Sequence, residues 1–453
     1  MTFGRRAITI RRICGLRAAL AVAVLTPAFC LARPAFADST ITIATVNNGD
    51  MVVMQKLSPE FEKLHPDIHL KWVVLEENVL RQRVTTDIAT HAGQFDVMTI
   101  GNYEVPIWGK QGWLEPMDNL PAAYDTDDLL KAVRGGLTVD GKLYGLPFYA
   151  ESAMTYYRTD LFEKAGLKMP ASPTYEQIRG FADKITDKPN QIYGMCLRGK
   201  PGWGENMAYL TSLVNAFGGQ WFGQDWKTTI DTPAWKQAVT YYDDILKADG
   251  PPGETSNGFN ETLALFGSGH CGMWIDATVA GGLLYDKKQS SVADKVGFAP
   301  MPTGSFAAAP TWLWSWNLGI PASSKQKDAA KTFAAWATSK EYINLVAKER
   351  GWVAVPPGTR QSTYDNPEYK KVAPFAAFVE KAINNSHAEG QTREPRLYTG
   401  AQFAAIPEFQ GIGTQVGQTV AGTLTGQSTV DQALAAAQSA TERTMRQAGY
   451  PKK

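Results

Sequence analysis

Thr40-Ile-Thr-Ile-Ala-Thr-Val-Asn-Asn-Gly-Asp50 reads as a β-strand running into a turn, because a run of β-branched side chains gives way to turn formers. Met51 to Leu64 follows with apolar residues at helical spacing (Val53, Met54, Leu57, Phe61, Leu64), and Pro66 stops it. Ile68–Val74 predicts a second strand, Val79–Ala89 a second helix and Phe95–Ile100 a third strand. The order β-α-β-α-β implies a mainly parallel sheet covered by helices on both faces. Ligands of such sheets gather in the loops at the carboxyl ends of the strands. Here those ends carry Asn47 to Asp50, Glu76 to Asn78, and Gly101 to Glu104.

Further along, Leu143–Tyr149 and Val296–Pro300 read as extended crossings. Helices are predicted over Tyr175–Thr186, Asn206–Asn215, Trp235–Ala248, Asn260–Gly267, Lys325–Thr338, Glu341–Arg350 and Val430–Gln447. On the amino-terminal side, basic residues, the apolar run Ala18 to Leu25 and the box Ala35-Phe36-Ala37 have the layout of a cleaved secretory signal over residues 1–37. Those residues contain six Arg and no acid, so the remainder carries 39 basic and 44 acidic residues, a formal net charge of −5. That balance argues against a nucleic-acid partner, which needs a basic face. The 416 residues beyond the signal are too many for one core and predict two domains. Cys196 and Cys271 remain after cleavage and are either bonded to each other or buried as thiols.

The aromatic residues carry the functional signal. Trp312, Trp314 and Trp316 alternate along Trp312-Leu-Trp-Ser-Trp-Asn317, which places them on one side of a strand. They suit a stacking wall for the C–H faces of a sugar or polyol, and core packing is the competing use. Polar groups that could bond its hydroxyls are spread along the chain. They are Asn47, Asn48 and Asp50; Glu77 and Arg81; Asn102 and Glu104; Glu151 and Ser152; Arg198, Trp203 and Asn206 in a Gly-rich loop; and Asp276 beside Trp274. Each could equally be a turn former, a cap or a surface group.

Catalytic and metal motifs are weak. His65 and His69 are separated by Pro66, which breaks a helical metal pair. Gly267-Ser-Gly269 lacks the spacing of a nucleophile elbow, and Gly411-Ile-Gly-Thr-Gln-Val-Gly417 misses the dinucleotide fingerprint by one residue. Neither a catalytic residue, a metal nor a cofactor is expected.

Leu146-Pro-Phe-Tyr-Ala-Glu-Ser-Ala-Met-Thr-Tyr-Tyr-Arg-Thr-Asp-Leu-Phe-Glu-Lys-Ala-Gly166 resembles the signature segment of the family 1 extracellular solute-binding proteins of ABC sugar importers. Gly112-Trp-Leu-Glu-Pro-Met-Asp118 and Trp336-Ala-Thr-Ser-Lys-Glu-Tyr342 extend the resemblance over most of the chain. Arg198-Gly-Lys-Pro-Gly-Trp203, Leu213-Val-Asn-Ala-Phe-Gly-Gly219 and the Trp312–Asn317 run are similar to the sorbitol/mannitol-binding branch.

The resemblance implies an α/β, two-lobe periplasmic-binding-protein fold of type II, with a multi-strand hinge crossed near 147–150, 299–304 and 351–357. Lobe one would hold 38–148 and 304–352, and lobe two 149–303 and 353–453. It implies a monomeric periplasmic receptor that closes on a small polyhydroxy ligand and presents it to membrane permease subunits. The residues it assigns to the cleft are Asn47, Asp50, Glu77, Asn102, Glu151, Arg198, Trp203, Trp274, Asp276, Trp312, Trp314 and Asn317. A mono- or disaccharide receptor and a secreted carbohydrate-active hydrolase are the alternatives.

Overall fold

A computed structural model describes residues 38–306, 312–386 and 395–451. The expected signal, residues 1–37, lies outside the described residues.

Eleven strands are seen among them: β1 Ser39–Val46, β2 Ile68–Leu75, β3 Val97–Gly101, β4 Thr138–Val139, β5 Lys142–Leu143, β6 Leu146–Glu151, β7 Ala153–Arg158, β8 Tyr193–Cys196, β9 Cys271–Ala277, β10 Val296–Ala299 and β11 Trp314–Gly319. They form a five-stranded sheet in the order β2-β1-β3-β11-β6, a four-stranded sheet in the order β10-β7-β9-β8, and the small hairpin β4-β5. The opening β-α-β-α-β is present as read: β1 pairs in parallel with β2 and β3. The helices between them are Gly49–Leu64 and Glu77–Thr90. The first starts where Asn48 accepts a bond from the Met51 N–H at 3.0 Å, a side-chain cap on the exposed helix donors.

Both sheets are mixed rather than mainly parallel. In the larger sheet β11 runs antiparallel to both β3 and β6. In the smaller one β7 runs antiparallel to β9 and β10, and only β8 with β9 is parallel. The reason is that the chain passes between the sheets. It leaves the first at Glu151 and enters the second at Ala153, with the buried Ser152 exchanging bonds with Thr278 at 3.0 and 2.8 Å. It returns between Ala299 and Trp314. A strand that arrives from another sheet needs no crossover helix and is free to run antiparallel. A third strand-like segment reaches β6, where Ala150 N donates to the Pro357 carbonyl at 2.9 Å. The next residue, Gly358, has φ +79°, and a side chain there would run into the Ala150 carbonyl.

The glycine run at 411–417 lies inside the helix Phe409–Leu424. A Cβ on Gly413 would stand 2.7 Å from Trp203 Cβ, and one on Gly417 2.7 Å from Asn206 Oδ1. The glycines let this helix approach the Trp203 loop closely, and Asn206 seals the contact by donating to the Gly417 carbonyl at 2.9 Å. The dinucleotide-like spacing is therefore a packing feature. His65 caps the end of the helix Gly49–Leu64 against Phe61. Among the described residues, no group of His, Cys, Asp and Glu could hold a metal ion, and no helix is long and apolar enough to cross a membrane.

Cys196 and Cys271 form a disulfide between the last residue of β8 and the first of β9. The link closes a loop with a sequence separation of 75 and fixes the base from which Arg198 projects. Replacing both cysteines by Ala is expected to lower the unfolding free energy by about 2–4 kcal/mol, read from denaturant midpoints. An unchanged midpoint would show that the loop is held by packing alone.

Candidate ligand-binding site

A cavity of about 140 Å³ lies at the carboxyl ends of β1, β2 and β8. That is roughly ten times the ~10–15 Å³ that one water needs. Its walls come from the loops and helix starts that follow these strands, together with Tyr149 and Glu151 of β6 and Trp314 and Trp316 of β11.

On one side stands Arg81, 4% exposed. It lies one helical turn after Glu77, so Nε and Nη2 reach Glu77 Oε1 at 3.1 and 2.7 Å. Its Nη1 donates to Glu104 Oε1 at 3.1 Å. Glu104 in turn accepts from Gly101 N at 2.9 Å. Burial pushes the Glu104 carboxyl up, against the pull of Arg81. The guanidinium sits over three indoles, 4.1 Å from the Trp203 ring centre and 4.6 Å from those of Trp314 and Trp316. Cation–π contacts of this kind reach about 2 kcal/mol when desolvated. Trp312, Trp314 and Trp316 line the cavity and are almost wholly buried, packed behind its wall as well as facing it.

On the other side stands Arg198, 6% exposed. Nε and Nη2 donate to Asp276 Oδ2 and Oδ1 at 2.9 and 2.5 Å. Nη1 donates to the Gly204 carbonyl at 2.8 Å and lies 3.7 Å from Glu205 Oε2. Its guanidinium is 4.9 Å from the centre of the Phe259 ring. Two carboxyls face these arginines from the cavity wall. Burial drives Glu151 far above the usual carboxylate range, against the pull of Arg198. Burial and the charge of Glu77 push Glu205 up to about 8, against Arg198 and Lys200.

Polar contacts join the two sides at the mouth. Lys200 Nζ meets Glu76 Oε1 at 2.7 Å, Asn78 Nδ2 donates to the Pro201 carbonyl at 3.3 Å, and Asn260 Nδ2 donates to the Asn47 carbonyl at 2.9 Å. Against partial burial, Lys200 and the backbone N–H groups at the helix start hold the Glu76 carboxyl below its ordinary value. Inside, Asn48 Nδ2 donates to Tyr149 Oη at 3.0 Å.

Of the twelve residues assigned to the cleft from sequence, Asn47, Glu77, Glu151, Arg198, Trp203, Trp312 and Trp314 line the cavity. Five do not, each for a physical reason. Asp276 lies behind Arg198, with its carboxylate also accepting from Trp274 Nε1 (3.1 Å) and Ala277 N (2.6 Å). Trp274 itself is fully buried and stacks on Tyr156, ring centres 5.4 Å apart. Asn102 clamps the start of β11, donating to the Leu313 carbonyl (3.1 Å) and accepting from Ser315 N (3.3 Å). Asn317 is buried and donates to the carbonyls of Ile100 (3.1 Å) and Ser315 (2.9 Å). Asp50 faces a separate small pocket beside Val355 and Pro357, where burial raises its carboxyl to about 7. Residues outside those twelve also line the cavity, chiefly Asn48, Arg81, Tyr149, Lys200, Glu205 and Trp316. Arg81 was legible as the helical partner of Glu77, whereas Glu205 and Lys200 had only their place in the Gly-rich loop to mark them.

A buried set of carboxylates, arginines and indoles can satisfy many hydroxyl groups at once, since hydroxyls both donate and accept. Comparison with known proteins agrees with that chemistry. The chain is 56% identical over 427 residues to the mannitol-binding protein of Pseudomonas aeruginosa, covering 94% of this chain and 98% of that one. It is similar to the crystal structure of an ABC transporter solute-binding protein from Agrobacterium vitis with bound D-mannitol, at 60% identity and TM-score 0.90, covering 91% of this chain and 100% of that one. A solute-binding protein from Agrobacterium radiobacter in complex with ribitol matches at 25% identity and TM-score 0.79, covering 90% and 99%. The bacterial extracellular solute-binding protein profile matches residues 47–343, and the chain belongs to that family.

Proposed function

We propose that this protein is the periplasmic receptor of an ABC importer and captures mannitol, or a hexitol of the same length, in the cavity between Arg81 and Arg198. The observation that carries the reading is the pairing of two buried arginines with an excess of carboxylates and a Trp wall at the strand ends. Its weight comes from a chain 60% identical to a mannitol-bound relative. The alternate carbons of an extended polyol present C–H faces to the indoles and hydroxyls to the carboxylates.

Residues 38–148 with 304–352 act as one lobe and 149–303 with 353–453 as the other. They pivot on the crossings near 147–150, 299–304 and 351–357, the first of which leads into the passage at Ser152. Ligand favours the closed form because the two walls, contributed by different sheets, bond it together only there. The leader at 1–37 directs export, the closed monomer docks on the membrane permease subunits, and the ligand is delivered without chemical change.

Titration calorimetry with mannitol, sorbitol, mannose and maltose tests the reading. Mannitol at a hundredfold over its Kd is expected to stabilise the protein by about 2.7 kcal/mol and to be recovered unchanged by NMR. No heat and no thermal shift with any alditol would overturn it. Closure has its own test. A side chain on Gly204 would run into Glu77 Oε1 from the opposite wall. Gly204→Ala is therefore expected to weaken mannitol binding at least tenfold, about 1.4 kcal/mol, while the melting temperature without ligand stays near wild type. Unchanged affinity would mean that the two walls do not come together around the ligand.

A further inference from the structure

Every cation lining the cavity already has a carboxylate. Arg81 is held between Glu77 and Glu104, Arg198 is paired with Asp276, and Lys200 is paired with Glu76 and lies 3.7 Å from Glu205. The carboxylates outnumber the cations, and one stands apart. Glu151 lines the cavity, is 6% exposed, and its carboxylate makes no hydrogen bond or ion pair with any described residue. Glu77 lies within electrostatic range of both Glu151 and Glu205.

We infer that the cavity also takes cationic amino-polyols, molecules in which an ammonium group replaces one hydroxyl of a neutral polyol, with that ammonium seated among Glu77, Glu151 and Glu205. The inference rests on the cavity being the polyol site and adds a second ligand class to it. An ammonium offers three donors and no acceptor, which matches three acceptor groups, whereas a hydroxyl donates one proton. Its charge favours ionisation of the buried Glu151 and Glu205 carboxyls, which a neutral ligand leaves protonated. A sugar acid finds no cation to pair with, because each cation of the wall is already engaged.

The pH dependence follows in sign. Glu205 faces Glu77, Arg198, Lys200 and Glu76 and holds its proton up to about pH 8. Glu151 faces Arg198, Asp276, Glu77, Asp50 and Tyr149, and burial likewise drives its carboxyl far above the usual carboxylate range. A bound ammonium favours the ionised carboxylates and lowers their pKa values, so it releases protons on binding. Its affinity therefore rises with pH towards 8, while an aliphatic amine, with a pKa of about 10, stays charged. A neutral polyol brings no charge to drive that release.

The experiment is calorimetry on the purified protein with D-mannitol, amino-deoxy-D-mannitol and D-mannonate at pH 6, 7 and 8, in buffers of different ionisation enthalpy. The amine is expected to bind with release of about half a proton or more. The ratio of the mannitol Kd to the amine Kd should rise at least about fivefold from pH 6 to pH 8, the ceiling being tenfold per unit for each proton released. Mannonate is expected not to bind. Mannitol binding without amine binding, or a ratio flat with pH, would overturn the inference and leave the polyol receptor standing. Binding of neither would remove both. Glu151→Gln, which keeps the shape and removes the charge, should cut the pH 8 ratio about tenfold. If that variant does not fold, the wild-type titration decides alone.

Discussion

Two buried arginines organise the structure, one at the end of each sheet. An arginine inside a protein cannot shed its charge, so each must be met by carboxylate and by hydrogen-bond acceptors. Arg81 is met by Glu77 one helical turn away and by Glu104 after β3. Arg198 is met by Asp276 on the neighbouring strand and by the Gly204 carbonyl. Removing a partner from such a pair typically costs about 3–5 kcal/mol, because the other charge is left buried. The pairs therefore fix the helix and the loops that carry them, and the cavity lies between these segments.

The packing around the site serves the same end. The disulfide holds β8 against β9, so that Arg198 and Asp276 share a fixed base. Trp203 is pressed against Arg81 by a helix whose glycines allow the close approach. Gly202 and Gly204 lie so near Asn78 and Glu77 that side chains would not fit. Small residues stand where two walls meet, and large aromatic ones where a wall must be rigid.

How much of this the sequence reveals depends on which period a residue obeys. The opening strands and helices are legible because one face of each is apolar, and two of the residues marked after β1 and β2, Asn47 and Glu77, line the cavity. On β9 and β11 the rule fails. Both strands are buried along their whole length, so alternation separates two interior faces and not core from cavity. Trp274, Asp276 and Asn317 carry the residue types of a polyol site and are spent on packing and on positioning Arg198. Glu205 and Lys200 sit in a loop with no period, and only the three-dimensional approach of that loop to Glu76 and Glu77 brings them to the site. The mixed strand directions are likewise hidden, because they follow from chain passages between sheets rather than from local pattern.

The electrostatics also explain why closure should wait for ligand. Glu77 follows β2 of the larger sheet, while Glu205 lies in the loop after β8 of the smaller one, and under the proposed closure the two meet only when the walls are together. Bringing Glu205 and Glu151 out of water raises the free energy of the proposed closed form by desolvation and like-charge repulsion, the same causes that raise the pKa values of these two carboxyls. Contacts at the mouth, such as the Lys200–Glu76 ion pair, are partly exposed and worth about 0–1 kcal/mol each, too little to offset that penalty. Hydrogen bonds between the ligand hydroxyls and these carboxyls supply the difference, at about 0.5–1.5 kcal/mol apiece and more where a carboxyl is ionised. In the proposed receptor, a closed form that is unfavourable alone and favourable around a hydroxyl-rich molecule would give the importer a surface that reports occupancy, because the permease would then meet the closed shape chiefly when there is cargo to deliver.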